Sequence, residues 1–276
     1  MNLVVQGPAI TEAQALELAG LAGSTRVHRI AEHAWRIPFA APSDAIAPYC
    51  EAHRLDYAFI PEGRRFADLR LLAMDMDSTL ITIECIDELA DFAGRKDEVA
   101  AITAQAMRGN LEYAESLRRR VAVLAGLPES VLERVYAERL RLTPGAEALI
   151  GACKAHGVKL LLVSGGFSFF TERLRERLGL DYTISNRLEV RGGTLTGRLV
   201  GEIVDARAKE GKFCAVADEI GAAREQTVAI GDGANDLKMM ARAEYSIAFH
   251  AKPLVRADAR YAIDWCGLEA VVNLFE

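Results

Sequence analysis

Asp75 and Asp77 stand one residue apart at the end of an apolar run. The hydroxyl residues Ser78 and Thr79 follow them directly. Carboxylates beside hydroxyl groups suit a hard divalent cation together with a phosphate group. The alternative is that one of the acids only caps the helix that follows, because Asp is common at helix N-caps. Other parts of the chain have to decide between these two interpretations.

A second apolar run also ends in acids, in the sequence Gly-Asp-Gly-Ala-Asn-Asp. Gly231 and Gly233 allow the backbone to turn sharply around Asp232. Asn235 and Asp236 add either oxygen ligands or partners that orient the ligands. Oxygen ligands without sulfur or imidazole favour Mg²⁺ over zinc or copper. The pattern also lacks the terminal Glu of an EF-hand calcium loop.

A third apolar run, at 158–163, ends in Ser164, Gly165 and Gly166. A hydroxyl group followed by two glycines lets backbone N–H groups approach an anion closely. Two adjacent glycines alone are more often a tight turn than a phosphate site. This third signal therefore counts only together with the other two.

The three polar strand ends predict the fold class. Ligands of open α/β sheets bind at the carboxyl edge of the strands, so we expect a doubly wound, mainly parallel, Rossmann-like sheet. Far more chain separates the first strand from the next than a plain β-α-β crossover requires. Residues 84–142 in between have helical periodicity, which predicts a helical cap that closes over the sheet edge. The catalytic core then comprises 69–83 and 143–276.

Residues 1–68 are predicted to form a separate small α+β domain, because short strands and amphipathic helices alternate there. Its predicted elements are a strand at 3–5, a helix capped by Thr11 that runs to Leu21, a strand within 25–37 and a helix from 42–44 to 54, followed by a linker at 61–65.

The elements predicted in the core after the cap are a helix at 145–156, a hairpin around 191–193 and a helix at 205–220 that carries Lys209 and Lys212.

Composition limits the partners of the chain. Its 276 residues, 51% of them hydrophobic, are enough for two or three folded units. A net charge of −6 argues against nucleic acid or an anionic membrane as the main partner.

No apolar run approaches the ~20 residues that span a bilayer, and the start lacks the basic segment of a signal peptide. Five scattered cysteines predict reduced thiols in the cytoplasm, and five scattered histidines argue against a zinc site.

Together, the three strand ends, the lysine before the last of them and the helical insert resemble the haloacid-dehalogenase superfamily of phosphohydrolases. Glu84 and the cap sequence Ser-Leu-Arg-Arg-Arg-Val extend the resemblance to its phosphoserine phosphatase family, over roughly residues 69–265. The resemblance implies a Mg²⁺-dependent enzyme that hydrolyses phosphoserine through an aspartyl-phosphate, the last step of serine biosynthesis. Residues 1–68 look loosely like the regulatory ACT-like domain that some members carry.

The resemblance also implies roles for the acids. Asp75 would be the nucleophile, and Asp77 would be the general acid for the leaving oxygen and then the base for water. Asp75, Asp232 and the main-chain carbonyl of Asp77 would hold Mg²⁺, with Asp236 in support.

The phosphoryl group would be bound by Ser164, the Gly165 N–H and Lys209, with Asn235 also on the substrate side. The family spacing favours Lys209 over Lys212.

In the cap, Glu84 would bind the substrate ammonium group and Arg120 its carboxylate. The two arginines before Arg120 are the competing assignments. Met107 and Tyr113 fall on apolar cap positions of the family, where Tyr113 replaces the usual Phe.

Two other functions stay open from the sequence. One is a related phosphatase or phosphotransferase for another small phosphomonoester, such as phosphohomoserine. The other is an amino-acid sensor or scaffold with an idle core, although none of the core catalytic residues has been lost. Whether residues 1–68 sense serine, form a homodimer or only stabilise the core is also open.

Overall fold

The computed structural model of the chain describes residues 1–108 and 110–276, except for the side chain of Met107. The first elements are β1 (Asn2–Gln6), α1 (Glu12–Leu21), β2 (His28–Ala31), β3 (Ala34–Ile37), α2 (Ile46–His53) and β4 (Asp56–Ile60). The four strands form an antiparallel sheet in the order β2-β3-β1-β4, which is the split β-α-β arrangement. Both helices pack on one face of this sheet, and the other face joins the larger core of the molecule.

Three details of this part differ from the sequence prediction. The strand predicted within 25–37 is a hairpin of β2 and β3, whose turn has no Gly, Pro or Asn to mark it. Strand β4 was not predicted. Helix α2 begins at Ile46 instead of at 42–44, because the Ser43 hydroxyl accepts a hydrogen bond from the Ala45 N–H and holds a local turn. The predicted Thr11 cap of α1 forms, and the Gln14 side chain completes a capping box with it.

The larger sheet has seven strands in the order β11-β10-β9-β5-β6-β7-β8, and only the β7–β8 pair is antiparallel. This confirms the mainly parallel α/β sheet. The elements as far as β6 are β5 (Leu71–Asp75), α3 (Cys85–Phe92), α4 (Lys96–Met107), α5 (Tyr113–Val123), α6 (Ser130–Arg134), α7 (Ala146–Ala155) and β6 (Lys159–Phe167). Those that follow are α8 (Ser168–Leu178), β7 (Tyr182–Arg191), β8 (Thr194–Val200), α9 (Ala206–Glu219), β9 (Thr227–Gly231), α10 (Leu237–Met240), β10 (Tyr245–Phe249), α11 (Pro253–Asp258), β11 (Tyr261–Ile263) and α12 (Ala270–Asn273).

Strand β5 is apolar from Leu71 to Met74 because both faces of the sheet are covered. Leu72 and Met74 belong to one buried cluster, whereas Leu71 and Ala73 belong to the cluster on the opposite face. Such continuous apolar runs are typical of buried parallel strands. The alternation leaves Asp75, the last residue of β5, at the carboxyl edge of the sheet.

Helices α3 to α6 form the insert between β5 and β6. Its two connections to the sheet run side by side: Ile81 pairs with Leu142 in an antiparallel bridge, and the Thr82 N–H donates to the Arg141 carbonyl at 3.0 Å. The insert also rests on the β7–β8 hairpin through a bridge between Pro128 and Thr194.

Two further observations bear on the sequence predictions. All five cysteines are free thiols, as predicted, and four of them are buried. Across 1–108 and 110–276, none of the helices has the length and apolar character needed to span a membrane.

Candidate active site

The three polar strand ends meet because β5 is the switch point of the larger sheet. The chain leaves β5 towards β6 and β7 on one side and returns to β9 and β10 on the other. Ligands of open α/β sheets bind outside the strand ends at such a point. A cavity of about 860 Å³ lies there, between the sheet edge and the helical insert. A smaller cavity of about 590 Å³ between β4 and β11 lies away from these strand ends.

Lys209 connects two of the acids. Its ammonium Nζ donates to Asp75 Oδ1 at 2.7 Å and to Asp236 Oδ1 at 2.8 Å, and the side chain has no exposed surface. The Asp205 carboxylate caps α9 and so places Lys209 one turn into the helix. Lys212 points elsewhere, with its ammonium group 5.7 Å from the centre of the Tyr182 ring.

Charge compensation explains how these buried groups coexist. Burial raises the pKa of Asp75, as does the nearby Asp236, whereas Lys209 opposes the shift. Burial alone would lower the pKa of Lys209, but the two carboxylates outweigh it and raise the pKa above its usual value. The lysine therefore stays charged.

The carboxylates of Asp75, Asp232 and Asp236 offer oxygen atoms that all lie within 4.8 Å of one another. The Gly233 N–H donates to Asp236 Oδ2 at 3.1 Å and fixes the turn after β9. Burial, followed by the charge of Asp236, raises the pKa of Asp232 to about 6. A divalent cation would relieve this repulsion, and an all-oxygen donor set fits a hard ion.

Asp77 lies beside this cluster and has different partners. Its Oδ1 accepts a hydrogen bond from the Cys85 N–H at 2.8 Å, and its Oδ2 lies 3.4 Å from the Ser164 hydroxyl oxygen. Cys85 is the first residue of α3 and Glu84 is its N-cap residue, so Asp77 accepts a helix N–H without occupying the N-cap position of the alternative interpretation. Burial, followed by the charge of Glu84, raises the pKa of Asp77 to about 7. A hydrogen bond from a helix N–H and a raised pKa thus occur together at this carboxyl group.

The turn Ser164–Gly166, a bulged segment near the end of β6, needs both of its glycines. A Cβ atom at Gly165 would lie 2.3 Å from the Tyr113 hydroxyl oxygen, and one at Gly166 would lie 2.7 Å from Asp77 Oδ2. The Gly166 N–H donates to the Ser164 hydroxyl at 2.8 Å. The turn is therefore pressed against the carboxylate on one side and the cap on the other.

The cap residues Glu84, Tyr113 and Arg120 line the same cavity as Asp75. The Ser78 hydroxyl donates to Glu84 Oε1 at 2.8 Å. Ser78 itself has a φ of +57°, a conformation that non-glycine residues adopt mainly at strained or functional positions.

Of the three consecutive arginines, Arg120 lines the cavity, whereas Arg119 pairs with Glu115 at 2.7 Å on an exposed part of α5 and Arg118 is exposed. Asn235 also lines the cavity. The side chain of Met107 lies outside the part of the chain that the structure describes.

Sequence reasoning missed three contributions to the site. Two of them are hydrogen bonds that involve a main-chain group, and such bonds leave no motif in the sequence. They are the bond from the Cys85 N–H to Asp77 and the bond from the Asn186 side chain to the Gly165 carbonyl at 2.8 Å. Lys252 lies with its Nζ 4.0 Å from Asp232 Oδ2 and lines the cavity. Pro253 after it begins α11, which is the one local sign that this lysine stands at a helix start.

Lys209→Met should destabilise the protein because it leaves two buried carboxylates without their ammonium partner. Removing one side of a buried ion pair costs about 3–5 kcal/mol of unfolding free energy, which urea unfolding in metal-free buffer measures. Lys212→Met, on the same helix, is the matched control and should cost less than about 1 kcal/mol. Equal losses in the two variants would contradict the charge-compensating role of Lys209.

Comparison with known proteins agrees with this geometry. A sequence model of the haloacid dehalogenase-like hydrolase family matches residues 72–241. A phosphoserine phosphatase from Polaromonas sp. is 53% identical over 215 residues, which are 76% of this chain and 91% of the relative. The unliganded crystal structure of a probable phosphoserine phosphatase from Vibrio cholerae superposes with a TM-score of 0.86 at 38% identity, and the match covers 99% of this chain and 85% of that chain.

A third similar structure is a phospho-aspartyl intermediate analogue of phosphoserine phosphatase, with a TM-score of 0.71 at 40% identity, covering 75% of this chain and 99% of the other. The family match spans more than half of the chain, and the curated relative is aligned over most of its own length. The chain therefore belongs to the haloacid dehalogenase-like hydrolase family, in the group that includes the phosphoserine phosphatases.

Proposed function

We propose that the chain is a phosphatase that hydrolyses O-phosphoserine to serine and inorganic phosphate. The observation that carries this proposal is that Glu84 and Arg120, of opposite charge, line the same cavity as Asp75. Phosphoserine has an ammonium and a carboxylate group beyond its phosphate, so an acid and an arginine beside a phosphate site match its charged groups. Relatives that are themselves phosphoserine phosphatases support the same substrate.

The cap would select the substrate. Glu84 pairs with the ammonium group, and Arg120 holds the carboxylate. The Arg120 Nε is buried and has no hydrogen-bond partner among the described residues, so the guanidinium group has donor capacity left for a ligand. Tyr113 closes the cavity over the Gly165 turn. Met107 is assigned to the substrate side on the family resemblance alone.

Asp75 is assigned as the nucleophile. Lys209 holds its Oδ1, which leaves Oδ2 to attack the phosphorus atom in line with the seryl oxygen. The bond from phosphorus to the seryl oxygen breaks as an aspartyl-phosphate forms. Lys209, the Ser164 hydroxyl and the Gly165 N–H bind the phosphoryl oxygens while charge shifts between them.

Asp77 is assigned as the group that moves protons. It protonates the departing seryl oxygen, and its carboxylate then takes a proton from the water that attacks the aspartyl-phosphate. Its raised pKa keeps the carboxyl partly protonated near neutral pH, which the first of these steps requires. Release of phosphate returns Asp75 to a free carboxylate and Asp77 to its protonated form.

Members of the family generally use a divalent metal, and we propose Mg²⁺ for this chain. Asp75, Asp232 and the main-chain carbonyl of Asp77 would hold it, with Asp236 in support and Asn235 directed towards the substrate. When bound, the ion would offset the negative charge of the carboxylates and polarise the phosphoryl group.

We further propose that 1–68 form the small α+β domain, 84–142 the cap, and 69–83 with 143–276 the core. The bridge between Ile81 and Leu142 supports the two cap boundaries. The free cysteines suit a reducing compartment, and we propose the cytoplasm.

Kinetics on two substrates test the proposed function. Phosphoethanolamine lacks the carboxylate of phosphoserine, so it cannot use Arg120. We expect kcat/KM of the wild type to be about 10²-fold higher for phosphoserine, in line with the cost of leaving a charged partner unpaired. Equal values would contradict phosphoserine as the substrate.

Arg120→Met should remove most of this preference. We expect kcat/KM for phosphoserine to fall about 10²-fold while that for phosphoethanolamine stays within about threefold. Arg119→Met is the matched control on the same helix, because Arg119 pairs with Glu115 away from the cavity, and it should change neither value. Equal losses on both substrates would mean that Arg120 supports the fold instead of reading the carboxylate.

A further inference from the structure

We propose that Asn186 is a positioning residue that ties the phosphate-binding turn, Ser164 to Gly166, to the start of the helix that carries Lys209. The inference rests on the proposed function in one respect, namely that this turn binds the phosphoryl group. Among the described residues, the Asn186 side chain hydrogen-bonds to main-chain groups of Gly165 and Val204 only, so it acts through other residues.

The pairing of β6 with β7 shows why the turn needs support. Val163 pairs with Ile184, and the next pair is Phe167 with Asn186. Strand β6 thus advances four residues (163 to 167) while β7 advances two (184 to 186). The extra residues bulge out of the sheet at the substrate edge, where bulges commonly redirect functional groups. Their main-chain groups lose ladder partners and have to find others.

Asn186 supplies one of these missing partners. Its Nδ2 donates to the Gly165 carbonyl at 2.8 Å, while the N–H on the other end of the same peptide group, that of Gly166, donates to the Ser164 hydroxyl at 2.8 Å. The peptide plane is therefore held at both ends. Because the second bond orients the Ser164 hydroxyl, the Asn186 amide also fixes the direction of a proposed phosphate ligand.

The other end of the carboxamide reaches the lysine-bearing helix. Asn186 Oδ1 accepts a hydrogen bond from the Val204 N–H at 2.9 Å, and the next residue, Asp205, is the N-cap of α9. Lys209 projects from the first turns of this helix. A single side chain with 2% exposure therefore connects the two segments that would bind the phosphate, the Ser164 turn and the helix of Lys209. Both a donor and an acceptor are needed, which Asn provides and apolar residues do not.

Asn186→Leu keeps a side chain branched at Cγ but removes both hydrogen bonds, and so tests the proposal. The readout is the inhibition constant of inorganic phosphate against hydrolysis of p-nitrophenyl phosphate, measured on the full chain with Mg²⁺. We expect this constant to rise about tenfold and kcat/KM to fall about 10²-fold, because small displacements of positioning groups are costly. A purely structural role would lower the amount of active enzyme, and hence kcat, but would leave the inhibition constant unchanged.

Thr171→Val is the matched control. The Thr171 hydroxyl is buried on α8 and forms a hydrogen bond with the Ser185 hydroxyl at 2.8 Å. Ser185 lies on the same strand as Asn186, but this bond does not involve the turn. It should lower the melting temperature without changing the inhibition constant of phosphate. If Asn186→Leu does not fold, Asn186→Ser is used for the same measurement, because the serine side chain is too short to bond both main-chain groups. An inhibition constant within about twofold of wild type in the folded variant would overturn the proposal.

Because p-nitrophenyl phosphate carries neither an ammonium nor a carboxylate group, this experiment does not depend on the choice of phosphoserine as substrate. A wild type without preference for phosphoserine would contradict the proposed function and leave the result for Asn186 standing. An inhibition constant that is unchanged in the Asn186→Leu variant, together with a wild type that prefers phosphoserine, would contradict only the role of Asn186.

Discussion

Asp75→Asn should lower kcat for phosphoserine by a factor on the order of 10⁴ or more, the largest loss expected from a single substitution in this site. A carboxamide keeps the size of the side chain but is a poor nucleophile, so no aspartyl-phosphate can form. Acid quenching with phosphoserine labelled on phosphorus measures this directly. The wild type should retain label on the protein during turnover, and the variant should retain none.

The contrast for this experiment is Asp232→Asn. Asp232 belongs to the same cluster of carboxylates but is not assigned as a nucleophile. We expect it to slow the reaction while the label still accumulates on the protein. Label on Asp75→Asn at the wild-type level would rule out Asp75 as the attacking group and move the chemistry to another residue.

Asp77→Asn should give the second largest loss, about 10²- to 10⁴-fold in kcat/KM for phosphoserine. The carboxamide oxygen can still accept the Cys85 N–H, so the fold around α3 is kept. The carboxamide cannot donate the proton that we propose the Asp77 carboxyl group gives to the seryl oxygen. The loss should therefore depend on the leaving group, and p-nitrophenyl phosphate, whose phenolate leaves without a proton, should be affected far less in the first step.

Rapid mixing separates the two roles of Asp77. With p-nitrophenyl phosphate, the variant should release a burst of nitrophenolate equal to the enzyme concentration and then turn over slowly, because water lacks its base in the second step. The same variant on phosphoserine should show no burst of serine. Equal losses with both leaving groups would mean that Asp77 only holds α3 in place.

The parts of the site that could be predicted from the sequence are those whose chemistry is local. An apolar run followed by Asp75, or by Gly231 and Asp232, reveals a buried strand and its polar end, because burial and turn formation depend on neighbouring residues. The order of these ends along the chain then indicates the parallel sheet. Lys209 could be separated from Lys212 only through family spacing, and the structure places Lys209 against Asp75.

The missed parts depend on contacts between distant segments. Asn186 looks like any polar residue of a strand, and its importance comes from a bulge in the neighbouring strand. Strand β4 follows a helix and ends before a proline, and its sequence Asp-Tyr-Ala-Phe-Ile does not alternate between polar and apolar residues, although burial alternates along the strand in the structure. Its first residue, Asp56, is a buried carboxylate that accepts N–H groups of 264–266, a partner no local pattern could indicate.

The hydrogen bond from the Cys85 N–H to Asp77 has a consequence for the order of events during turnover. Cys85 begins α3, whereas Asp77 stands at the edge of the sheet, so this 2.8 Å bond crosses from the insert to the sheet. Because this bond joins α3 to the carboxyl group that we propose as the proton donor, a displacement of α3 would move that group relative to Ser164. Fidelity and reactivity would thereby be coupled. A ligand in the cavity that keeps α3 away from the sheet edge would also misalign the Asp77 carboxyl group that is needed to cleave it.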